Sequence, residues 1–260
     1  MFNINGSITA PLGFLASGIN CGIRKSKTKR DLALIYSKVP CTAAAVYTLN
    51  KVKGAPLTVT AENIKDKKAQ AIICNSGNAN TCNPDGMEKA QKMCVLTARE
   101  LSLSPSDIIV ASTGVIGQPL PIEPIEEGLP QLVRELSADG AENACEAIMT
   151  TDLIMKQCAV EFTLDNKAVR IGAIAKGSGM INPNMATMLA FVTTDAAISG
   201  EMLQKALTLA VDETFNMISV DGDTSTNDMV AVLANGLALK LSAASTAASA
   251  QRANRSASGS

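Results

Sequence analysis

Histidine is absent from the 260-residue sequence. This absence excludes the Ser-His-Asp and Cys-His catalytic mechanisms, and it excludes every metal site that needs a histidine ligand. A hydrolase or transferase built from this chain must take its catalytic base from a lysine, a carboxylate or a free α-amino group.

An excess of charge of one sign is also missing. The chain carries 23 basic and 24 acidic side chains, which gives a net charge of -1, and they form no long block of one sign. The charge pattern therefore gives no reason to expect binding to nucleic acid or to an anionic membrane surface. A small neutral or zwitterionic ligand fits this balance better.

Long apolar runs are missing as well. No uncharged apolar stretch reaches the length of a membrane span, and residues 1–6 have neither the basic region nor the apolar run of a secretory signal. The seven cysteines are odd in number and contain no C-x-x-C pair, which indicates reduced, mostly buried thiols. We therefore expect a cytoplasmic protein that does not associate with membranes.

Strand and helix patterns alternate along the chain. Ser199 and Asp139 are typical N-caps of helices, and Asp165-Asn166-Lys167 is typical of a hairpin turn. The mixture predicts an α/β or α+β fold with layered sheets flanked by helices. Strands are predicted at 31–35 and 41–47 with a turn at Pro40, and at 69–74, 107–111, 156–164, 168–174 and 188–193; helices are predicted at 85–101, within 119–136, from Asp139 to 149 and from Ser199 to 215.

Two polar segments each admit a structural and a functional interpretation. Ser112-Thr113-Gly114 follows a buried strand, where a backbone N–H can face a cleft as an oxyanion hole requires, but taken alone the segment favours a plain strand-to-loop turn. Met149-Thr150-Thr151-Asp152 follows a predicted helix and fits either a turn or a pair of hydroxyls that face a ligand. Local chemistry does not choose between the two interpretations of this second segment.

Two further segments resemble ligand-binding loops only in part. Asp221–Asp228 is acidic, but an EF-hand needs Gly at its sixth position and Glu at its twelfth, where this chain has Thr226 and Val232. Residues 177–179 read Gly-Ser-Gly without the rest of a dinucleotide or Walker motif. We predict that 221–228 is a turn held by its Asp, Ser, Thr and Asn side chains and that it binds no metal. We also predict no nucleotide site at 177–179.

The stretch from Lys176 to Phe191 contains two glycines, an Asn-Pro turn and then Ala186-Thr187 at the start of an apolar run. A small residue followed by a hydroxyl residue suits a backbone carbonyl that is attacked by its own neighbour. Threonine is also common at the start of strands, so the local pattern alone does not assign this chemistry.

Six short segments, spread in order along most of the chain, share a wider pattern. They are 9–14, 75–80, 112–117, 149–152, 176–181 with 185–189, and 220–228. Each is weak alone, but six in register are specific. Together they resemble the ornithine acetyltransferase / glutamate N-acetyltransferase family of arginine biosynthesis, whose members are self-processing and use an N-terminal Thr nucleophile.

The resemblance implies a mechanism for this chain. It implies self-cleavage between Ala186 and Thr187, with Thr187 as the nucleophile and with Thr113 and Gly114 as the stabilisers of the oxyanion. The cut would free an α-amine on Thr187, which titrates near ~7.7–8.0 and can replace the missing histidine as a base.

The resemblance also implies substrates. Thr150, Lys176 and Thr187 would contact a substrate, and the acetyl group would pass from N-acetylornithine to glutamate through acetyl-Thr187. No cofactor is needed, although some family members accept acetyl-CoA as a donor. Two alternatives stay open: a related Thr-nucleophile amidase or aminopeptidase, and an inactive truncated fragment that acts only as a binding or assembly module.

The implied organisation has three parts. Residues 1–186 would form the large chain, residues 187–241 the start of a small chain, and residues 242–260 an Ala/Ser-rich tail that we predict to be disordered. The resemblance stops near Gly236, so we expect a truncated small chain. The family's usual arrangement implies association of the chains into an assembly of two large and two small chains.

Overall fold

The computed structural model describes residues 1–180 and 188–238. Ala186, Thr187 and the predicted tail 242–260 lie outside the described residues. Apart from short 3-10 turns, the elements in chain order are β1 Phe2–Ile4, β2 Phe14–Ile19, β3 Leu32–Tyr47, α1 Ala55–Asn63, β4 Lys68–Asn78, α2 Gly86–Leu101, β5 Ile108–Val115, α3 Glu123–Arg134, α4 Ala141–Ile148, β6 Lys156–Leu164, β7 Lys167–Lys176, β8 Leu189–Thr194, α5 Gly200–Asp212 and β9 Met229–Ala234.

The described strands form one mixed sheet. Its order is β1-β6-β7-β8-β9-β3-β4-β5, and β2 pairs with β3 beside this path. The pairs β4–β5 and β8–β9 are parallel, and the other pairs are antiparallel. The long strand β3 joins the two parts of the sheet, since residues 32–36 pair with β4 and residues 42–47 pair with β9.

The sheet folds back on itself and forms two layers. Ile72 and Ile109, from β4 and β5, share one buried cluster with Ile174 and Phe191, from β7 and β8. Because successive side chains of a strand alternate between its faces, the opposite faces remain for helices. Helices α2 and α3 cover β4 and β5, while α5 covers β8 and β9. This helix–sheet–sheet–helix order confirms the predicted fold class of layered sheets flanked by helices.

Several predicted elements are confirmed at their boundaries. Helix α2 begins one residue after Asp85, and β6 and β7 flank a turn in which Asp165 and Asn166 have positive φ values of 50° and 61°. The Ser199 hydroxyl accepts a hydrogen bond from the Met202 amide and caps α5 as predicted.

The predicted turn at Pro40 is wrong. Residues 32–47 form one continuous strand, and the register of its pairing with β4 shifts between Tyr36 and Cys41. Pro40 lies in this irregular stretch, where the missing amide hydrogen does not remove a regular ladder bond. The proline therefore marks a bulge in β3 and not its end.

The predicted ends of the strands at residues 74 and 111 are wrong as well, because β4 extends to Asn78 and β5 to Val115. Both strands continue through polar segments, with Asn75 opposite Ser112 and Gly77 opposite Gly114. The Ser112 hydroxyl donates to the Asn75 side-chain oxygen at 2.6 Å, so the two buried polar groups satisfy each other.

The predicted N-cap at Asp139 is also wrong, because α4 has Gly140 as its N-cap. A Cβ atom at Gly140 would overlap the Ala16 carbonyl oxygen, so the chain packs tightly there.

None of the helices within residues 1–180 and 188–238 combines the length and the apolar character that a membrane span requires.

Candidate active site

A cavity of about 670 Å³ collects the predicted site residues. Thr113, Gly114, Thr150 and Lys176 all line it, although they come from β5, from the segment after α4 and from the end of β7. Thr187 belongs to the part of the chain that the structure does not describe. The fold thus brings four of the five predicted catalytic and substrate-binding residues to one cavity.

Lys176 and Thr113 are in direct contact. The Lys176 ammonium Nζ donates a hydrogen bond to Thr113 Oγ1 at 3.3 Å, and both residues are buried. Strands β5 and β7 are five places apart in the sheet, so they would lie about 24 Å apart if it were flat, at about 4.8 Å per strand. The contact therefore depends on the folding of the sheet into two layers.

Two glycines shape the backbone beside this contact. Gly114 has φ +134° and Gly77 has φ +99°, both in the left-handed region that favours glycine. A Cβ atom on Gly114 would overlap the backbone carbonyl carbon of Gly77, so no larger residue fits while β4 and β5 keep their spacing. The backbone at Gly114 is exposed and lines the cavity without a side chain in front of it.

Asp152 joins two walls of the cavity. Its carboxylate accepts hydrogen bonds from the Thr150 amide at 3.2 Å and the Gly177 amide at 2.8 Å, and it pairs with the Lys156 ammonium at 2.7 Å. Burial raises the pKa of this carboxyl, but the Lys156, Gly177 and Thr150 hydrogen bonds outweigh burial and leave the pKa lowered. Asp152 is therefore an ionised anchor that holds Thr150 beside Lys176.

Lys176 is a buried cation. Burial lowers the pKa of its ammonium, and the nearby groups Asp152, Cys74 and Asp228 partly oppose this effect. An ammonium in such a place attracts an anionic ligand group or a developing oxyanion more strongly than a solvated one does, because water screens it less.

The sequence did not single out Arg24, which also lines the cavity. Its stem passes over Gly77, where a Cβ atom would come within 2.8 Å of Arg24 Cγ. The guanidinium atoms Nε and Nη2 are buried and find no hydrogen-bond acceptor among residues 1–180 and 188–238. Buried donors of this kind suit a carboxylate ligand. A basic residue in a polar loop is too common in sequences to predict such a role.

The acidic segment before β9 also reaches the cavity. The Asn227 side chain donates to the carbonyls of Ala79 at 2.6 Å and Ser112 at 3.0 Å, and it accepts from the Thr81 hydroxyl at 2.6 Å. These bonds tie residues 225–227 to the ends of β4 and β5. Within the described ranges, no group of three or more Cys, Asp and Glu side chains is arranged to hold a metal ion.

Asp228 follows this anchor and is buried. Its Oδ1 atom accepts a hydrogen bond at 2.8 Å from the amide of Met188, the residue after Thr187 in the chain. Burial raises the pKa of Asp228 to about 7, although the Met188 amide, the Ser225 hydroxyl and the Lys176 charge each lower it. The sequence offers no signal for this raised pKa, because the pKa depends on how deeply the Asp228 side chain is buried in the folded protein.

Curated relatives resemble most of this chain. "Arginine biosynthesis bifunctional protein ArgJ" of Symbiobacterium thermophilum is 52% identical over 235 residues, which are 90% of this chain and 58% of that protein. A protein named ArgJ 1 from Clostridium acetobutylicum is 52% identical over 233 residues, which are 89% of this chain and 57% of the relative. The chain thus spans less than three fifths of the length of these relatives.

Solved structures resemble the fold. The crystal structure of ArgJ from Bacillus halodurans is 42% identical with a TM-score of 0.67, and covers 71% of this chain and 97% of its own. Ornithine acetyltransferase from Mycobacterium tuberculosis, solved with ornithine, is 37% identical with a TM-score of 0.63. The match covers 68% of this chain and 95% of the Mycobacterium tuberculosis chain. An aminopeptidase from Ochrobactrum anthropi, described as a variant of the Ntn hydrolase fold, is 12% identical with a TM-score of 0.55, and covers 90% of this chain and 76% of its own. This last likeness concerns the fold alone.

The family model described as the ArgJ family matches residues 15–257, nearly the whole chain. It extends beyond Gly236, near which the resemblance noted in the sequence stops, and agrees with the identities of about 50% to curated ArgJ proteins. The chain therefore belongs to the ArgJ family.

Proposed function

We propose that this chain carries the acetyl-transfer site of an arginine-biosynthesis enzyme. The acetyl group passes from N-acetylornithine to glutamate through an ester on Thr187, and acetyl-CoA is an alternative donor. The observation that carries the proposal is the meeting of Thr113, Gly114, Thr150 and Lys176, from three separate segments, around one cavity of about 670 Å³.

The proposal includes a cut between Ala186 and Thr187. The solved Bacillus halodurans chain covers 71% of this chain, and 71% of 260 residues is about 185 residues. The match covers 97% of that solved chain, whereas the sequence match to the Symbiobacterium thermophilum relative covers only 58% of that protein. A solved chain about as long as residues 1–186 and much shorter than the curated relatives is what a protein divided into two chains would give, and this supports the proposed cut.

The transfer cycle needs one base, which the freed α-amine of Thr187 supplies. The amine takes the proton of the Thr187 hydroxyl as that oxygen attacks the acetyl carbonyl of N-acetylornithine. The tetrahedral intermediate collapses, its former amide nitrogen takes the proton and leaves as ornithine, and the acetyl ester remains on Thr187. The amine of glutamate then attacks this ester, which yields N-acetylglutamate and restores the hydroxyl.

Thr113 and Gly114 stabilise the oxyanion of both tetrahedral intermediates in this proposal. The exposed backbone at Gly114 and the contact between Thr113 and the Lys176 ammonium support these roles. Loss of one such donor typically costs about 3–4 kcal/mol of transition-state stabilisation.

The cations of the cavity fit the proposed substrates. N-acetylornithine and glutamate both carry an α-carboxylate, and Arg24 and Lys176 offer positive charge in the same cavity as Thr150. The structure of the Mycobacterium tuberculosis relative is a complex with ornithine. We include in the proposal a cytoplasmic assembly of two large and two small chains.

The test uses the full chain and two measurements. Mass spectrometry should find a species that begins at Thr187, and incubation with N-acetylornithine and glutamate should yield N-acetylglutamate. Thr187→Ala should abolish both results, and Thr113→Val should slow transfer by about 100- to 1000-fold. Thr208→Ala, on the exposed side of α5, is the matched control and should behave as the unchanged chain.

Three results would contradict the proposal. An intact chain without a species that begins at Thr187 would exclude the cut, and transfer by the Thr187→Ala variant would exclude the nucleophile. Release of free acetate without N-acetylglutamate would identify an amidase and not a transferase.

A further inference from the structure

One edge of the Arg24 guanidinium has donors without acceptors. Its Nε and Nη2 atoms are buried, and neither donates a hydrogen bond to a residue that the structure describes. These two atoms lie on the same edge of the planar group, so their N–H bonds point in parallel and match the two oxygens of a carboxylate. Because buried donors without acceptors are costly, this edge suits a ligand that supplies both acceptors.

The acidic side chains near Arg24 are engaged by other donors. Burial lowers the pKa of the Arg24 guanidinium, and the charges of Asp31, Glu146 and Asp152 partly oppose this effect. The Asp31 carboxylate accepts three backbone amides, while Glu146 and Asp152 are each paired with another cation. These carboxylates therefore stabilise the charge of Arg24 from a distance and leave its Nε–Nη2 edge to a ligand.

The backbone that carries Arg24 is held by Asp31. The Asp31 carboxylate is fully buried and accepts from the amides of Cys21 at 2.7 Å, Gly22 at 3.2 Å and Arg24 at 2.9 Å. The Asp31 carbonyl also accepts from the Ser76 amide at 2.9 Å, which ties the loop to β4. An arginine on a loop that is fixed in this way loses less conformational freedom when it binds a ligand.

Two of the cations that line the cavity have different partners. Lys176 donates to Thr113, which the proposed function places at the oxyanion. Burial raises the pKa of the Cys74 thiol to about 12, and the charges of Lys176 and Arg24 both lower it, so both cations lie near this residue of β4. Two neighbouring cations, of which one is bonded to Thr113, can serve two different groups of one substrate.

The proposed substrates share one chemical unit. In N-acetylornithine and in glutamate, the nitrogen that exchanges the acetyl group is attached to the carbon that carries the α-carboxylate. Their side chains differ in charge, since ornithine ends in an amine and glutamate ends in a second carboxylate. A contact with the α-carboxylate can therefore place the reacting nitrogen of either substrate at the same point, which a transfer through one ester requires.

We propose that Arg24 binds the α-carboxylate of both substrates through its Nε–Nη2 edge, while Lys176 acts on the reacting carbonyl together with Thr113. This inference rests on the proposed function and adds to it a basis for substrate selection. The cavity accepts amino acids and their N-acetyl derivatives, and it discriminates against amines of the same shape that lack the carboxylate, because they leave the buried donors unpaired.

The first experiment measures binding, which needs no catalysis. Calorimetric titration of the full chain compares ornithine with 1,4-diaminobutane, which is ornithine without its carboxylate. The unchanged chain should bind ornithine about 100-fold more tightly than the diamine. Arg24→Gln should weaken the binding of ornithine by about 100-fold and leave that of the diamine unchanged, so that the two affinities become similar.

Two further variants separate charge from geometry. Arg24→Lys keeps the positive charge but not the two parallel donors, and it should weaken ornithine binding by about 10-fold. Lys27→Gln is the matched control, because it removes an exposed charge from the same loop at a residue that does not line the cavity. It should bind both ligands as the unchanged chain does.

The transfer reaction gives a second measurement. Arg24→Gln should lower kcat/KM for N-acetylornithine by about 100-fold and leave kcat/KM for N-acetyl-1,4-diaminobutane unchanged. A residue that only supports the shape of the cavity would affect both donors alike.

Several results would overturn the inference. They are unchanged ornithine binding in Arg24→Gln, an equal loss for both ligands in that variant, and a failure of the unchanged chain to bind ornithine. If circular dichroism shows that Arg24→Gln does not fold, ornithine methyl ester decides, since binding to the unchanged chain as tight as that of ornithine would overturn the inference. A chain that binds ornithine through Arg24 but makes no N-acetylglutamate would instead reject the proposed function and keep the carboxylate site.

Discussion

Glycine at position 114 is required by the spacing of two strands. With φ +134° and the Gly77 backbone directly beside it, position 114 has no room for a Cβ atom. Gly114→Ala should therefore force β4 and β5 apart and lower the free energy of unfolding by about 1–3 kcal/mol. Urea unfolding followed by circular dichroism measures this change.

Gly117→Ala separates the effect of crowding from that of backbone strain. Gly117 also has positive φ, at +76°, but no described atom lies within 4 Å of its Cβ position. Only the strain of the left-handed backbone remains there, about 1 kcal/mol. Equal losses in the two variants would mean that the contact with Gly77 does not restrict position 114.

Residues of the site differ in how far the sequence predicts them. Thr113, Gly114 and Thr150 stand in segments that resemble the family, and they meet in one cavity as that resemblance implies. Arg24 and Asp228 could not be assigned in the same way. Their properties come from burial and from partners distant in the chain, such as Gly77 and Met188, which no local pattern contains.

At the scale of the element, helix α5 depends on one hydroxyl. The Ser199 side chain accepts from the Met202 amide, and the helix then buries Leu203, Leu207 and Val211 over β8 and β9. Ser199→Ala should lower the free energy of unfolding by about 1 kcal/mol, because one amide at the helix start loses its acceptor. Ser199→Asp restores an acceptor and should keep the original stability in the same urea measurement. A loss that is equal in both variants would assign the effect to packing of the serine and not to capping.

Strand ends were harder to predict than helices, for a physical reason. Helix α2 carries its own signal in the 3.6-residue spacing of Ala90, Met93 and Cys94, all of them buried. The polar ends of β4 and β5 have no apolar alternation and become strands only because they pair with each other. Pro40 likewise lies within β3 because neighbouring strands continue the ladder around it. Such pairing is a long-range property, which a local pattern does not encode.

At the scale of the whole molecule, the proposed cut falls inside one continuous sheet. Strand β8 lies between β7 and β9, and residues 171–176 pair with residues 189–194 in six consecutive positions. Strand β9 pairs with residues 42–47 of β3 in six more. Leu189, Phe191 and Leu233 are buried in the same cluster as residues that precede the cut. Parts that share both a hydrogen-bond ladder and a core are held by most of the interactions that fold the domain.

The two products of the cut should therefore stay together. A denaturing gel should resolve two chains, whereas size-exclusion chromatography without denaturant should give one species at the elution volume of the uncut Thr187→Ala variant. Urea should separate the products only in the range where the secondary structure is lost, because dissociation exposes the shared core. Products that separate in native buffer would mean that the β7–β8 and β3–β9 pairings do not hold the cut molecule together. The proposed mechanism needs Thr187 together with Thr113 and Lys176, so transfer activity should disappear with the separation.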